Sequence, residues 1–309
     1  MSLAPTTSLS PPTFNTRPLQ IALFCALWSF AFVAGKAGVA DCPPLILLAG
    51  RFTLAGLLVL GLAPLMRERW DLRPRDVALY AVLGIVNYAM YLGLGYVGLQ
   101  TVSAGIGGLI VSANPVFTAL LAALVLNEAL TWRKVAGLVL GVAGVAFIVW
   151  HRIAIGAEAW HGIAFTLASL ASIVAGTILF KRLAPQGSLW IGNGIQSLAA
   201  GLVLMPLAFS LSSIGGIVPS WRLAGAFGFL VLGGAVANWL WLRLLKLYGA
   251  TAASAWHFVM PPLAMLFAWL VLGEAIDARD LLGVVPVAIG IYLVTRPARA
   301  VTLRPPISA

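Results

Sequence analysis

The stretch from residue 101 to residue 150, TVSAGIGGLIVSANPVFTALLAALVLNEALTWRKVAGLVLGVAGVAFIVW, returns in diverged form at 251–296. The first copy sets Pro115, Glu128, Arg133, Gly137 and Gly144 along an apolar run. The second sets Pro261, Glu274, Arg279, Gly283 and Gly290. Each member of the second set lies 146 residues after its counterpart. A lone proline or glycine would match by chance in so biased a composition. Five matches in one register, two of them charged residues in a charge-poor chain, mark an internal repeat.

Outward from that stretch the composition decides the class. The 309 residues are 61% hydrophobic and 9% charged, against about 25% charged in ordinary soluble domains. A membrane-spanning helix needs roughly 20 apolar residues. Hydropathy predicts ten such runs, at 19–40, 43–66, 77–98, 101–126, 132–150, 161–181, 189–210, 222–247, 250–272 and 281–296. They leave no room for a soluble catalytic domain. Unpaired backbone is so costly in lipid that long apolar runs without period-2 alternation must be helices rather than barrel strands. The expected fold is an all-α integral membrane protein of ten transmembrane helices.

The net charge of +10 raises a nucleic-acid partner, and its distribution argues against one. With a cytoplasmic N-terminus and ten spans, 14 of the 19 basic residues fall on the cytoplasmic side, among them Arg67, Arg69, Arg73, Arg75, Lys181 and Arg182. The inverted topology reverses that bias, so both termini are expected in the cytoplasm. The partners expected are the lipid bilayer and a small-molecule substrate, with no nucleic acid. Two cysteines, Cys25 and Cys42, do not make a disulfide framework. The residues before Cys42 match a lipoprotein cleavage site poorly, and the first apolar run is longer than a signal h-region, so it is read as a retained helix.

The chain divides into a Ser/Thr/Pro-rich tail at 1–16, expected to be disordered and cytoplasmic, a first five-helix repeat at 17–150, a linker at 151–160, a second five-helix repeat at 161–296, and a cytoplasmic tail at 297–309. Lys36 and Arg51 have counterparts in Lys181 and Gln196, both offset by 145, which extends the repeat over each half. Five is odd, so the second half enters the membrane from the opposite side: the repeats are inverted. Transporters built this way commonly hold substrate near the bilayer midplane between the halves.

Ten spans, the five-plus-five inverted repeat, and in each half a Pro-containing helix followed by Glu and a Gly-rich helix resemble the drug/metabolite transporter superfamily, and within it the EamA-type exporters. The resemblance covers about 280 residues. It implies alternating-access export of small metabolites across a bacterial inner membrane, with amino acids the first choice and lipophilic drugs or other metabolites the alternative. It also implies that Trp28, the Asn87-to-Tyr91 segment and the Ser112-to-Pro115 segment line the cavity. Bulky aromatics before Pro115 would fit an aromatic-amino-acid exporter; this chain has Ser112 and Asn114 instead.

The residues that carry chemistry are few. Pro115 and Pro261 each fall inside an expected span, where proline removes a backbone hydrogen bond and kinks the helix; they read as gating hinges or as fixed packing kinks. Arg51 lies about eight residues into its span, where a cation costs roughly 3 kcal/mol. It is a counter-ion for a substrate carboxylate or a snorkelling structural arginine. Glu128 and Glu274 each precede an Arg by five residues and read as turn-fixing pairs with Arg133 and Arg279. All nine acidic residues map to loops or span ends, so no buried carboxylate relay couples transport to an ion. With only three histidines and no deeply placed Asp or Glu, no catalytic set, cofactor or metal is expected.

His257, four residues before Pro261, and Ser254, three before His257, could bond cargo or simply pack. Trp28, Tyr88, Tyr91 and Trp239 are candidates for an aromatic pocket, with Tyr88 and Tyr91 placed on one helical face by their spacing. Trp241, near Arg243, reads as interface belt. Asn87, Asn114 and Asn238 are polar within spans and need a partner in another helix, water or cargo. Gly137 and Gly141 form a GxxxG that serves a dimer or internal packing, so monomer and homodimer both stand.

Overall fold

The computed structural model describes residues 17–126, 131–154 and 158–275, with helical backbone also at 285–286, 288–290 and 292–293. Helices α1 (Arg17–Val39) and α2 (Pro44–Leu62) are separated by the Pro43-Pro44 pair, with Pro44 opening α2 where its missing N–H costs nothing. The third apolar run is α3 (Pro74–Gly84), a π-helical segment at Ile85–Met90, and α4 (Tyr91–Gly98). The fourth is α5 (Ala104–Ser112) and α6 (Asn114–Leu126). Then come α7 (Trp132–Ala154), α8 (Trp160–Leu183), α9 (Leu189–Leu211), α10 (Trp221–Ala255), a 3₁₀ turn at Trp256–Phe258, and α11 (Met260–Leu272). Seven stretches are long and apolar enough to cross a bilayer, and among the described residues there is no strand. The molecule is an all-helical integral membrane protein.

Polar helix ends are closed by side chains. Ser188 and Ser220 accept from the N–H groups of Ile191 and Leu223 at 3.1 and 2.9 Å, and α8 stops in a left-handed cap at Ala184 with Lys181 and Arg182 in its last turn. Three buried hydroxyls of α8 bond back to their own helix: Thr166 donates to Gly162 O, Ser172 to Ala168 O and Thr177 to Ile173 O. Large apolar side chains such as Leu57, Leu202, Phe209 and Leu232 face outward, as expected where the solvent is hydrocarbon.

The prolines do not kink continuous helices. Ala113 interrupts the fourth run, and Pro115 is the second residue of α6; Pro261 is likewise the second residue of α11. Proline is tolerated in a helix's first turn and not in its interior, so each expected kink is a full break. The breaks repeat: α6 begins at Asn114 and α11 at Met260, an offset of 146. The linker expected at 151–160 begins later, because α7 continues through Ala154 with no proline or glycine to end it before Gly156. The tails, the Glu128 and Arg279 turns, Gly283 and most of the tenth run lie outside the described residues.

Packing is symmetric between the halves. The α1 helix packs on α10 and α11; their counterparts pair as α8 with α4 and α8 with α6. Helix α2 lies along α9, its own counterpart, and α5 lies on α11. At the α2–α9 contact a Cβ on Gly56 would lie 2.8 Å from Leu198 N, and one on Gly201 would lie 2.9 Å from Thr53 N. These are the same two positions exchanged by an offset of 145.

One end is clasped by Asp41, between α1 and α2. Ser220 Oγ (2.6 Å) and Arg222 Nε (2.8 Å) donate to its Oδ2, Arg222 Nη2 donates to Oδ1, and its carbonyl accepts from Val218 N–H at 2.7 Å. The Arg222 and Ser220 hydrogen bonds hold its carboxyl down from an ordinary 3.8 to about 2. A depressed carboxyl stabilises above its unfolded pKa and loses that contribution as pH falls through the folded value. The clasp is therefore intact from neutral pH down to 3.8 and released toward pH 2. Hydrogen exchange of the 212–220 loop, corrected for intrinsic rates, is expected to stay slow from pH 7 to pH 4 in the native protein. Asp41→Asn is expected to lose that protection throughout; equal protection in both would refute the clasp.

Candidate functional site

Four stretches converge on a cavity of about 30 Å³ in the middle of the helix bundle: Trp28 and Phe32 from α1, Arg51 from α2, Tyr91 and Tyr96 from α4, and Gly234 with Asn238 from α10. Leu92 and Tyr96 also line it, four apart and so on one helical face. A smaller adjoining space of about 20 Å³ shares Phe32, Tyr91 and Tyr96 and is completed by Gly107 and Val111 of α5 with Thr166 and Ser169 of α8. Both halves of the chain thus contribute walls. At these volumes the two spaces together hold little more than a water or two.

Arg51 is the charged member. It is 3% exposed and sits near the middle of α2, about 10 Å from the helix start. Its Nη1 donates to Tyr96 Oη at 3.1 Å, and its guanidinium carbon lies 4.7 Å from the Phe52 ring centroid. Its Nε has no hydrogen-bond partner. Gly234 makes the room: a Cβ there would lie 2.7 Å from Nη2.

Beside the cavity stands an aromatic cluster. Trp28 stacks on Tyr91 with centroids 6.3 Å apart, and packs at 5.9 Å from Trp241 and 5.4 Å from His257. His257 lies edge-on to Trp241 at 4.8 Å, and Phe24 stacks on Trp241 at 5.8 Å. His257 reaches this position because the helix breaks at the 3₁₀ turn before α11; its Nδ1 lies 3.2 Å from Ser254 O, and its Nε2 has no partner. Trp241, expected at the membrane interface, is 1% exposed at the centre of this cluster. The nearby Arg243 instead lies over Trp239, 5.3 Å from its centroid. Trp239 packs edge-on against Trp190 at 5.9 Å and does not line the cavity.

The remaining candidates disperse. The π-helical segment, with its wider i→i+5 turn, rotates Tyr88 away from Tyr91, so the shared face expected from their spacing is not formed. Tyr88 stacks on Phe52 at 5.4 Å and donates to Asn193 Oδ1 at 2.8 Å, while Asn193 Nδ2 donates to Ala235 O at 3.0 Å. Asn87 packs on Gly176, where a Cβ would overlap its Oδ1 at 1.8 Å. Ser112 Oγ donates to Leu109 O within its own helix, and Asn114 Oδ1 accepts from Thr118 Oγ1 at 2.7 Å. Asn114 Nδ2 and Ser254 Oγ are buried without a partner. The cavity also takes in Asn238, an in-span asparagine that needs a partner, together with Tyr96 and Gly234, which no local pattern distinguishes from other span residues.

One end of the bundle is sealed above this cavity. Glu274, expected to fix a turn with Arg279, crosses to the other half and accepts from the N–H groups of Ala104 and Gly105 at 3.0 and 3.4 Å. Glu158 accepts from Ser103 N (2.9 Å) and Ser103 Oγ (2.7 Å). Two carboxylates thus close the N-terminus of α5, where the helix dipole favours negative charge. Lys36 donates to the carbonyls of Leu99 and Val102 at 2.7 and 2.9 Å. The repeat counterparts of Lys36, Leu99 and Ala104 are Lys181, Leu245 and Ala250, and those three line an open cavity of about 190 Å³ beside the break at Gly249 (φ 78°). The position that Glu274 and Lys36 close in the first half is thus lined by a cavity in the second, where Glu128, the counterpart of Glu274, lies outside the described residues. Among the described residues no three His, Cys, Asp or Glu side chains converge.

A membrane bundle with paired broken helices around a cavity walled by both halves is the build of a transporter. The model of the EamA-like transporter family matches the chain twice, over residues 18–150 and 160–296, and the chain belongs to that family. It is a multi-pass membrane transporter rather than an enzyme, and an inner-membrane location is consistent with its bacterial relatives. It is similar to an uncharacterized transporter of Archaeoglobus fulgidus, 28% identical over 90% of this chain and 98% of that protein. It is also similar to an S-adenosylmethionine/S-adenosylhomocysteine transporter of Chlamydia muridarum, 26% identical over 87% of this chain and 88% of the relative. A probable terminal-alkyne amino-acid exporter of Streptantibioticus cattleyicolor is 28% identical over 89% and 92%. A solved crystal structure, 17% identical, superposes over 92% of this chain and 98% of its own with a TM-score of 0.69, a likeness of fold alone.

Proposed function

We propose that the protein exports small metabolites, amino acids first among them, by alternating access through the Trp28–Arg51–Tyr91–Asn238 cavity. The observation that carries this is the repeat-related pair of broken helices, α5–α6 and α10–α11, beside a cavity that both halves wall. Discontinuous helices at the interface of two repeats are where transporters of this build hold their cargo. The symmetric packing and the twofold family match support ten spans in a five-plus-five inverted repeat, divided at 17–150 and 161–296. With both termini cytoplasmic, the Lys36 end is the outer one and the Lys181 end faces the cytoplasm.

In this reading Trp28 and Tyr91 are cargo-contacting walls, and His257, Ser254 and Asn114 bring unpartnered polar atoms to the broken helices next to them. Pro115 and Pro261 lie at the breaks on which the half-helices α6 and α11 pivot. Tyr88, Asn87 and Ser112 hold the helices in place. Both cargoes named for the relatives, S-adenosylmethionine and a terminal-alkyne amino acid, carry an amino-acid group, which supports that class over lipophilic drugs. A buried arginine in the wall also disfavours an uncharged lipophile. Counterflow of labelled amino acids in proteoliposomes tests the reading. Exchange of at least one amino acid is expected; transport of a neutral drug or sugar with no amino-acid exchange would overturn the choice of cargo.

A further inference from the structure

We infer that the central site recognises its cargo through a single carboxylate, held by Arg51 with Tyr96 and Asn238. The inference deepens the amino-acid reading and rests on it only for the location of the site. A guanidinium has five N–H donors and no acceptor. Among the described residues Arg51 makes one hydrogen bond, to Tyr96 Oη, and its buried Nε has none. No described carboxylate lies within ion-pair distance of it, and no Asp or Glu lines the cavity. A buried cation left this way is costly unless an anion reaches it, and the cavity lies at its head group.

The surroundings narrow the anion. One arginine balances one negative charge, and Lys36, a half-buried cation of α1, is taken up by the Leu99 and Val102 carbonyls; a dianionic phosphate would find half its charge unmatched. A planar carboxylate fits the planar fork of a guanidinium. The walls beyond it are Trp28, Phe32 and Tyr91, which suit an apolar body. An ammonium group finds aromatic faces there and no carboxylate, so a free amino group is tolerated without being required. Gln196, the counterpart of Arg51 in the second half, has both amide atoms buried and unpartnered, so the charge stands on one side of the pseudo-symmetric pair.

The test uses the purified full chain in nanodiscs, with thermal stabilisation and tryptophan fluorescence as readouts. The probes are matched sets: L-phenylalanine, L-phenylalaninamide, 3-phenylpropanoate and phenethylamine, together with L-leucine and L-leucinamide, and S-adenosylmethionine and its methyl ester. Each acid is expected to bind at least about tenfold tighter than its amide, ester or amine, the size of one charged hydrogen bond. The acid without an amino group is expected to bind as the amino acid does. Arg51→Gln is expected to bring acid and amide within about threefold of each other, and Arg51→Lys to keep part of the preference. The comparison on the native protein stands even where Arg51→Gln does not fold. Equal binding of acid and amide, binding by no acid, or a preference that survives Arg51→Gln would each overturn the carboxylate. Binding of 3-phenylpropanoate without amino-acid counterflow would instead overturn the amino-acid reading and leave the carboxylate standing.

Discussion

The Gly84→Ala protein is expected to lose most of its folded yield. A Cβ on Gly84 would lie 2.3 Å from the carbonyl oxygen and 2.6 Å from the Cα of Gln196. Both opposing atoms are backbone, so no side chain can swing aside, and α3 must lift from α9. Overpacking of a tight interior costs typically 1–3 kcal/mol; here about 3 kcal/mol is expected, a large share of the few kcal/mol that hold a folded state. Gly61→Ala is the control: nothing lies within 4 Å of its added carbon, and an alanine in a helix gains about 0.5–1 kcal/mol over glycine. Thermal scans in detergent should show the first variant melting well below the native protein and the second at or above it. A Gly84→Ala protein that melts with the native one would refute the close contact.

The second large effect is at the sealed end. Removing the Glu274 carboxylate leaves the first amides of α5, at Ala104 and Gly105, without their acceptors. Hydrogen bonds to a charged group contribute about 1.5–3 kcal/mol each, and Glu274 is half-buried, so the lower figure applies. Glu274→Ala is therefore expected to speed hydrogen exchange of the 103–107 peptide roughly tenfold and to open the Lys36 end to water-soluble labels. Glu274→Gln, which keeps one acceptor, should fall between. Unchanged exchange in Glu274→Ala would mean that α5 is held by Ser103 and Glu158 alone.

These two residues illustrate how unevenly the site was legible. Glu274 was visible as a repeated charge, but its nearest sequence partner was Arg279, and the half it actually reaches lies 170 residues away. Tyr88 and Tyr91 are three apart, yet a π-helical turn between them sends one to Asn193 and the other to Trp28. Trp241 and Trp239 read the wrong way round: position near Arg243 placed Trp241 at an interface, whereas helix rotation buries it and leaves Trp239 under the guanidinium. Arg51 was expensive on sight, and its choice between snorkelling and binding turned on whether a carboxylate stood nearby in space.

The amino-acid sequence by itself determined the class, the helices and the internal repeat. Those depend on local quantities: apolar length against the thickness of a bilayer, backbone satisfaction within one helix, and residue identity at a constant offset. Only the tertiary structure decided that each proline run is two helices, that Glu274 crosses between the halves to close the N-terminus of α5, and that Arg51 faces a cavity free of described carboxylates. Those depend on which faces meet across hundreds of residues, and in lipid, where most side chains are apolar on every face, no periodicity records that choice.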